Sequence, residues 1–191
     1  MYILVLSSSL DPNSKSRELA KLCVSEIHEQ SYQAKYIDLA EWDVPNFDND
    51  TIYQSNQYKQ LHQLTHEASG VVLCGPVYNW GTCSELKKYI EYVGSTPPDG
   101  SLTGALFDKV VTFVHSAGLP HSYMAHSALS VSLSIDFKCI INPYNVYVHD
   151  RHWSDGKLSD ERRPRLTKSM KVMTELCSLL IGRTYRSGWE I

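Results

Sequence analysis

The chain opens on Tyr2-Ile-Leu-Val-Leu6, an unbroken β-prone apolar run, and passes directly into a turn crowded with hydroxyls, Ser7-Ser-Ser-Leu-Asp-Pro-Asn-Ser-Lys-Ser16. A strand without polar alternation is covered on both faces, the condition of a strand inside a parallel sheet. Behind the turn a helical pattern begins, and the first N–H groups of any helix have no intrahelical partner. Hydroxyls gathered at that point put side-chain donors, free backbone donors and the positive end of the helix dipole in one place, which is an anion site. A helix cap alone needs one such residue. Five serines together with Asn13, Lys15 and Arg17 exceed that need.

The rest of the chain repeats the strand-then-helix rhythm. Strands are expected at residues 2–6, 34–39, 70–74 and 109–114. A fifth, at 138–141, is interrupted by Asn142-Pro-Tyr-Asn145 and resumes at 146–148. Helices are expected at 16–29, 58–68, 84–93, 122–135 and 159–181. The segment 40–55 mixes Pro45, Asn46 and Asp48 with Trp42, Val44 and Phe47, so it reads as a loop anchored on a neighbouring surface. With no internal repeat, low-complexity tract or linker, residues 1–191 form a single domain, expected to bury about 70% of the surface of the unfolded chain. Five strands alternating with five helices match a three-layer α/β/α sandwich of the flavodoxin-like, doubly wound kind. Its five-stranded parallel sheet has the order 2-1-3-4-5. Ligands of such sheets sit beyond the carboxyl ends of the strands, where the strand order reverses. That rule selects three loops: residues 7–16, 76–81 and 116–123.

Composition excludes several alternatives. A net charge of -3 lacks the basic footprint of a nucleic-acid binder. No apolar run reaches membrane-spanning length and no secretory signal opens the chain, so a cytoplasmic protein is expected. The five cysteines are scattered, odd in number and without a C-x-x-C pair, which suits reduced thiols in a packed core. His62 and His66 have helical spacing, but the residues between them lack the Glu of a metalloprotease helix; they read as a solvated polar face. His149 and His152, flanking Asp150 and Arg151, read as a nucleotide-facing or surface loop rather than a metal centre, and no metal site is expected. Neither a Walker A sequence nor a G-x-G-x-x-G fingerprint occupies the first turn.

At the three loops the chain resembles the NADPH-dependent FMN reductase family. The matching pieces are Ser9-x-x-x-Asn13-Ser14-x-Ser16-Arg17, then Pro76-Val77-Tyr78-Asn79-Trp80 followed by Leu86-Lys87-Lys88-x-Ile90-Glu91. Further on come Ser116-Ala117-Gly118 with Ser122-Tyr123-Met124-Ala125, and Asp155-Gly156-x-Leu158-Ser159-Asp160. The resemblance implies FMN as cofactor, NADPH or NADH as electron donor, a small-molecule electron acceptor, and a homodimer or homotetramer. It places Ser9, Asn13, Ser14, Ser16 and Arg17 at the phosphate, and Pro76, Val77, Tyr78, Asn79, Trp80, Ser116 and Gly118 at the ring. The flavin carries the hydride chemistry, so no catalytic side chain is expected. Many members of the family carry Arg where this chain has Asp11, which removes a positive charge near the phosphate; Lys15 or Arg17 is placed to compensate. A non-enzymatic flavodoxin-like electron carrier, or a redox-responsive FMN-binding protein, built on the same site is the alternative reading.

Overall fold

Alternate residues of the central strands face opposite cores, as the two-residue period of a pleated strand requires. A computed structural model describes residues 1–189. In strand β1 (Ile3–Ser7) and strand β3 (Gly70–Tyr78), Ile3, Val5, Val72 and Cys74 point to one side, while Leu4, Leu6, Val71 and Leu73 point to the other. The first side is covered by helix α1 (Lys15–Glu29) through Leu19, Ala20, Cys23 and Ile27, and by helix α5 (Arg163–Leu179) through Leu166, Met170 and Met173. The second is covered by α2 (Asn56–Glu67), α3 (Ser84–Gly94) and α4 (Ser127–Asp136), with Leu61, Leu86, Tyr89 and Leu133 in the core. Trp42, Val44 and Phe47 of the long loop pack against this second core.

The sheet has seven strands rather than five. Strand β2 (Ala34–Asp38) and β3 flank β1, and β5 (Val110–Ala117) lies beyond β3; all these pairs are parallel. At the outer position two short strands, β6 (Ile140–Ile141) and β7 (Val146–His149), share the edge of β5. The order is therefore β2-β1-β3-β5 with β6 and β7 sharing the last position, which is the expected 2-1-3-4-5 once the short hairpin strand beside β3 is set aside, and the doubly wound, three-layer arrangement holds. The interruption at residues 142–145 does not leave the ladder open. Asn142 N–H donates to Val111 O at 2.8 Å, and the Phe113 N–H is taken by Asn145 Oδ1 at 2.8 Å. A side chain thus replaces a missing strand carbonyl.

The seventh strand comes from a correction to the second loop. Residues 75–81 were expected to turn directly after Cys74. Instead β3 continues to Tyr78, held by parallel pairing as far as Pro76 opposite Ser116, and folds back through a two-residue turn into β4 (Gly81–Thr82). Asn79 and Trp80 form that turn, both with positive φ, the backbone of a tight hairpin turn. Two helices also start later than the apolar pattern indicates. Residues 122–126 make successive turns, with Ala125 N–H bonded to Ser122 O, and α4 begins at Ser127. Pro164, which cannot donate, sits in the first turn of α5, so that helix begins at Arg163 rather than Ser159. Among the described residues no helix is long and apolar enough to cross a membrane.

Candidate functional site

The carboxyl ends of β1, β3 and β5 lie side by side, and β1 and β3 straddle the point where chain order reverses. The first loop is tied into place by Ser8. Its N–H and hydroxyl both donate to Cys74 O at 2.9 Å, and its Oγ lies 3.2 Å from Cys83 Sγ at the start of α3. A Cβ on Gly75 would stand 2.5 Å from that hydroxyl, so glycine is required where the loop meets β3. Burial pushes the Cys83 thiol above its ordinary pKa, the state of a packing cysteine.

Beyond Ser8 the chain turns on its own polar groups. Asp11 N–H donates to Ser9 Oγ at 3.3 Å, and Asp11 Oδ1 accepts from Asn13 N–H at 2.9 Å, a side-chain turn of the kind acidic residues make. Asp11 therefore shapes the loop whose charge it reduces. Ser14 caps α1, accepting from Arg17 N–H at 3.1 Å, and its Oγ lies 2.9 Å from Ser16 Oγ. Ser9, Ser14 and Ser16 are all buried. Two hydroxyls bonded to each other use one hydrogen between them, so the pair retains a donor, as does Ser9. The N–H groups of Lys15 and Ser16 at the helix start add backbone donors. This donor set fits a phosphate.

One cleft of about 240 Å³ unites the three loops. Ser9, Asn13, Ser14 and Ser16 line it from the first, Pro76, Val77 and Tyr78 from the second, and Ser116 and Gly118 from the third. Three nominated residues stand elsewhere. Arg17 pairs with the buried Asp38 through Nε, and its remaining nitrogens donate to Ser9 O at 2.8 Å and Asp11 O at 2.6 Å. Its guanidinium is spent on holding the loop. Asn79 and Trp80 occupy the hairpin tip outside the lining, with Trp80 69% exposed. Conversely, Ala117 lines the cleft without having been nominated, and so does Asp150, whose loop read only as nucleotide-facing or surface. Asp150 follows β7, which pairs with β5 as far as Ala117 opposite His149; reaching it requires knowing that residues 146–149 extend the sheet to the same edge.

The histidines play other parts. His62 is buried rather than solvated, its Nε2 donating to Thr103 O at 2.6 Å. His115 on β5 is enclosed, in a three-ring cluster with Phe113 and His126, which also touch each other, and neither of its ring nitrogens is hydrogen-bonded. Burial first, and the neighbouring His126 second, lower its pKa to about 3. Among the described residues no group of three or more His, Cys, Asp or Glu side chains converges as a metal centre would require.

Over residues 1–152 the chain matches the model of the NADPH-dependent FMN reductase family. The chain belongs to that family. Membership carries FMN as cofactor, NAD(P)H as electron donor and an oxidoreductase activity. No curated protein matches the sequence. Among solved structures, the apo form of the NADH:FMN oxidoreductase EmoB is 16% identical, with a TM-score of 0.75 over 96% of this chain and 92% of that one. FerB, a flavoenzyme NAD(P)H:(acceptor) oxidoreductase from Paracoccus denitrificans, is also 16% identical, with a TM-score of 0.75 over 93% of this chain and 97% of that one. A flavodoxin of Streptococcus pneumonia TIGR4 is 12% identical, with a TM-score of 0.58 over 92% of this chain and 99% of that one. At such identities these structures share the fold, and the family match carries the chemistry.

Proposed function

We propose that this FMN reductase family member is one FMN-binding domain over residues 1–191, passing electrons from NAD(P)H to a quinone, free flavin or another small electrophile. The observation that carries this reading is the buried set of hydroxyl donors, Ser9, Ser14 and Ser16, in the same cleft as the ends of β3 and β5. Ser14, Ser16 and the first N–H groups of α1 hold the phosphate, with Ser9 and Asn13 closing the cradle. Pro76, Val77, Tyr78, Ser116 and Gly118 orient the ring. Tyr78 offers an exposed aromatic face at the mouth, and Gly118, without a side chain, lets the backbone approach closely. When bound, FMN supplies the acceptance of hydride from the nicotinamide and its onward delivery as electrons. No side chain of the cleft needs to carry a proton for that role, so the protein contributes binding and orientation.

A homodimer or homotetramer accompanies this reading. Its support is the set of exposed apolar side chains at or next to lining positions, Leu10, Tyr78, Trp80 and Leu119, with Tyr123 and Met124 beyond them. Five buried, unpaired cysteines support a reducing, cytoplasmic setting.

The deciding experiment is a visible spectrum of the purified protein with FMN, followed by anaerobic titration with NADPH and NADH and turnover with a panel of acceptors. A flavin band that bleaches with the nicotinamide, and sustained oxidation of it with quinone or free flavin, is the expected result. No FMN bound at saturation refutes the reading. Bound FMN with negligible turnover on every acceptor would leave the electron-carrier alternative in its place.

A further inference from the structure

The cleft's charge is poorly matched to the group its hydroxyls would hold. Two carboxylates, Asp11 and Asp150, line it, against one cation among the described lining residues, Lys15. Arg17, the next cation in the chain, is spent on Asp38 and the loop carbonyls. Lys15 itself is engaged: its Nζ lies 2.8 Å from Asp150 Oδ1, joining the start of α1 to the end of β7. Both side chains are near half exposed, at 43% and 57%. An ion pair this wet is held weakly and rearranges readily. A phosphate approaching the Ser14–Ser16 pair brings up to two charges beside Lys15 and is the stronger partner for an ammonium. Asp150 can leave Lys15 for solvent, because more than half of its side chain is already exposed.

We propose that Asp150 is a specificity-determining residue that competes with the flavin phosphate for Lys15. Phosphate entry exchanges one ion pair for another, so the phosphate gains less from Lys15 than an unpaired lysine would give it. The hydroxyl cradle then sets selectivity for phosphorylated flavin, and the Lys15–Asp150 pair sets how easily that flavin leaves. The consequence is FMN that exchanges with solution, as a substrate does, rather than a permanently held group. This inference rests on the flavin reading above.

The test is a fluorescence-quenching titration of the full chain with FMN and with riboflavin, which shares the ring but lacks the phosphate. Asp150→Asn is expected to tighten FMN about tenfold by releasing Lys15 to the phosphate, while riboflavin stays within about twofold. In a Lys15→Gln background the same substitution is expected to move FMN by about twofold only, the remainder being plain repulsion across solvent. An unchanged FMN affinity in Asp150→Asn, with wild type binding FMN, overturns the competition. So does a tenfold gain that persists without Lys15, since Asp150 would then act by repulsion alone. Riboflavin binding reports an intact ring site in every variant, which separates these outcomes from misfolding. Wild type binding neither flavin would instead fail the flavin reading itself, and the competition with it.

Discussion

Ser14 serves the helix and the cleft at once, and the two roles separate in experiment. As the cap of α1 its loss costs about 1 kcal/mol of stability. As half of the Ser14–Ser16 hydroxyl pair its loss removes donors from a phosphate. The double substitution Ser14→Ala/Ser16→Ala is therefore expected to weaken FMN by at least about tenfold, two lost hydrogen bonds to a charged group, while riboflavin changes little. Isothermal titration with both ligands checks this; an equal loss for the two would report damage to the fold. At this scale the serines stood out in the sequence because five of them before one helix exceed what a cap needs. Arg17 was not, because it stands in the first turn of α1 while its partner Asp38 ends β2, and no local pattern joins them. Asp150 was legible only as part of a loop that read as nucleotide-facing or surface; that it enters this cleft follows from the pairing of β7 with β5.

Among the elements, the split outer strand shows how a sheet tolerates an interruption. Asn142 bonds Thr112 Oγ1 at 2.9 Å and Ser169 O at 3.0 Å and accepts from Tyr144 N–H at 2.9 Å, so its amide is fully used inside the core. Asn145 supplies the acceptor for Phe113 N–H. Asn145→Ala is expected to leave that buried N–H unpaired and to cost about 1 to 3 kcal/mol in chemical denaturation. Faster amide exchange at Phe113 is the second readout. Asn-Pro-Tyr-Asn was visible in the sequence as a break in the strand. That its side chains complete the ladder was not, because propensity registers a breaker without showing which carbonyl it replaces. The end of β3 behaved in the opposite way: residues 75–81 read as a turn, yet pairing with β5 carries the strand through Pro76, and antiparallel pairing with β4 carries it on to Tyr78. An isolated segment would have turned there; a neighbouring strand supplied the partners that kept it extended.

For the whole molecule, the enclosed His115 makes stability depend on pH. The unfolded chain binds a proton on this residue below its ordinary value of 6.5, and the folded chain refuses it until about 3. Between those limits the unfolded state holds more protons, so stability is complete above about pH 6.5 and falls by about 1.4 kcal/mol per unit as the solution is acidified through the window. His62 and His126, also lowered chiefly by burial, act in the same direction. Between pH 7 and pH 5 the wild type is expected to lose about 2 kcal/mol more than His115→Leu in urea denaturation, and parallel losses in the two proteins would remove His115 as the cause. The sequence by itself determined the doubly wound layering, the carboxyl-edge position of the candidate cleft and the row of hydroxyls that lines it. Each is written in local order, as apolar runs, helical stripes and serines standing directly before a helix. Only the tertiary structure decided the fate of the charges: Arg17 withdrawn to Asp38, Lys15 shared with Asp150, His115 buried in a cluster with Phe113 and His126. A charge is governed by whatever lies within a few ångströms of it, and in a parallel sheet those neighbours come from strands far apart in the chain.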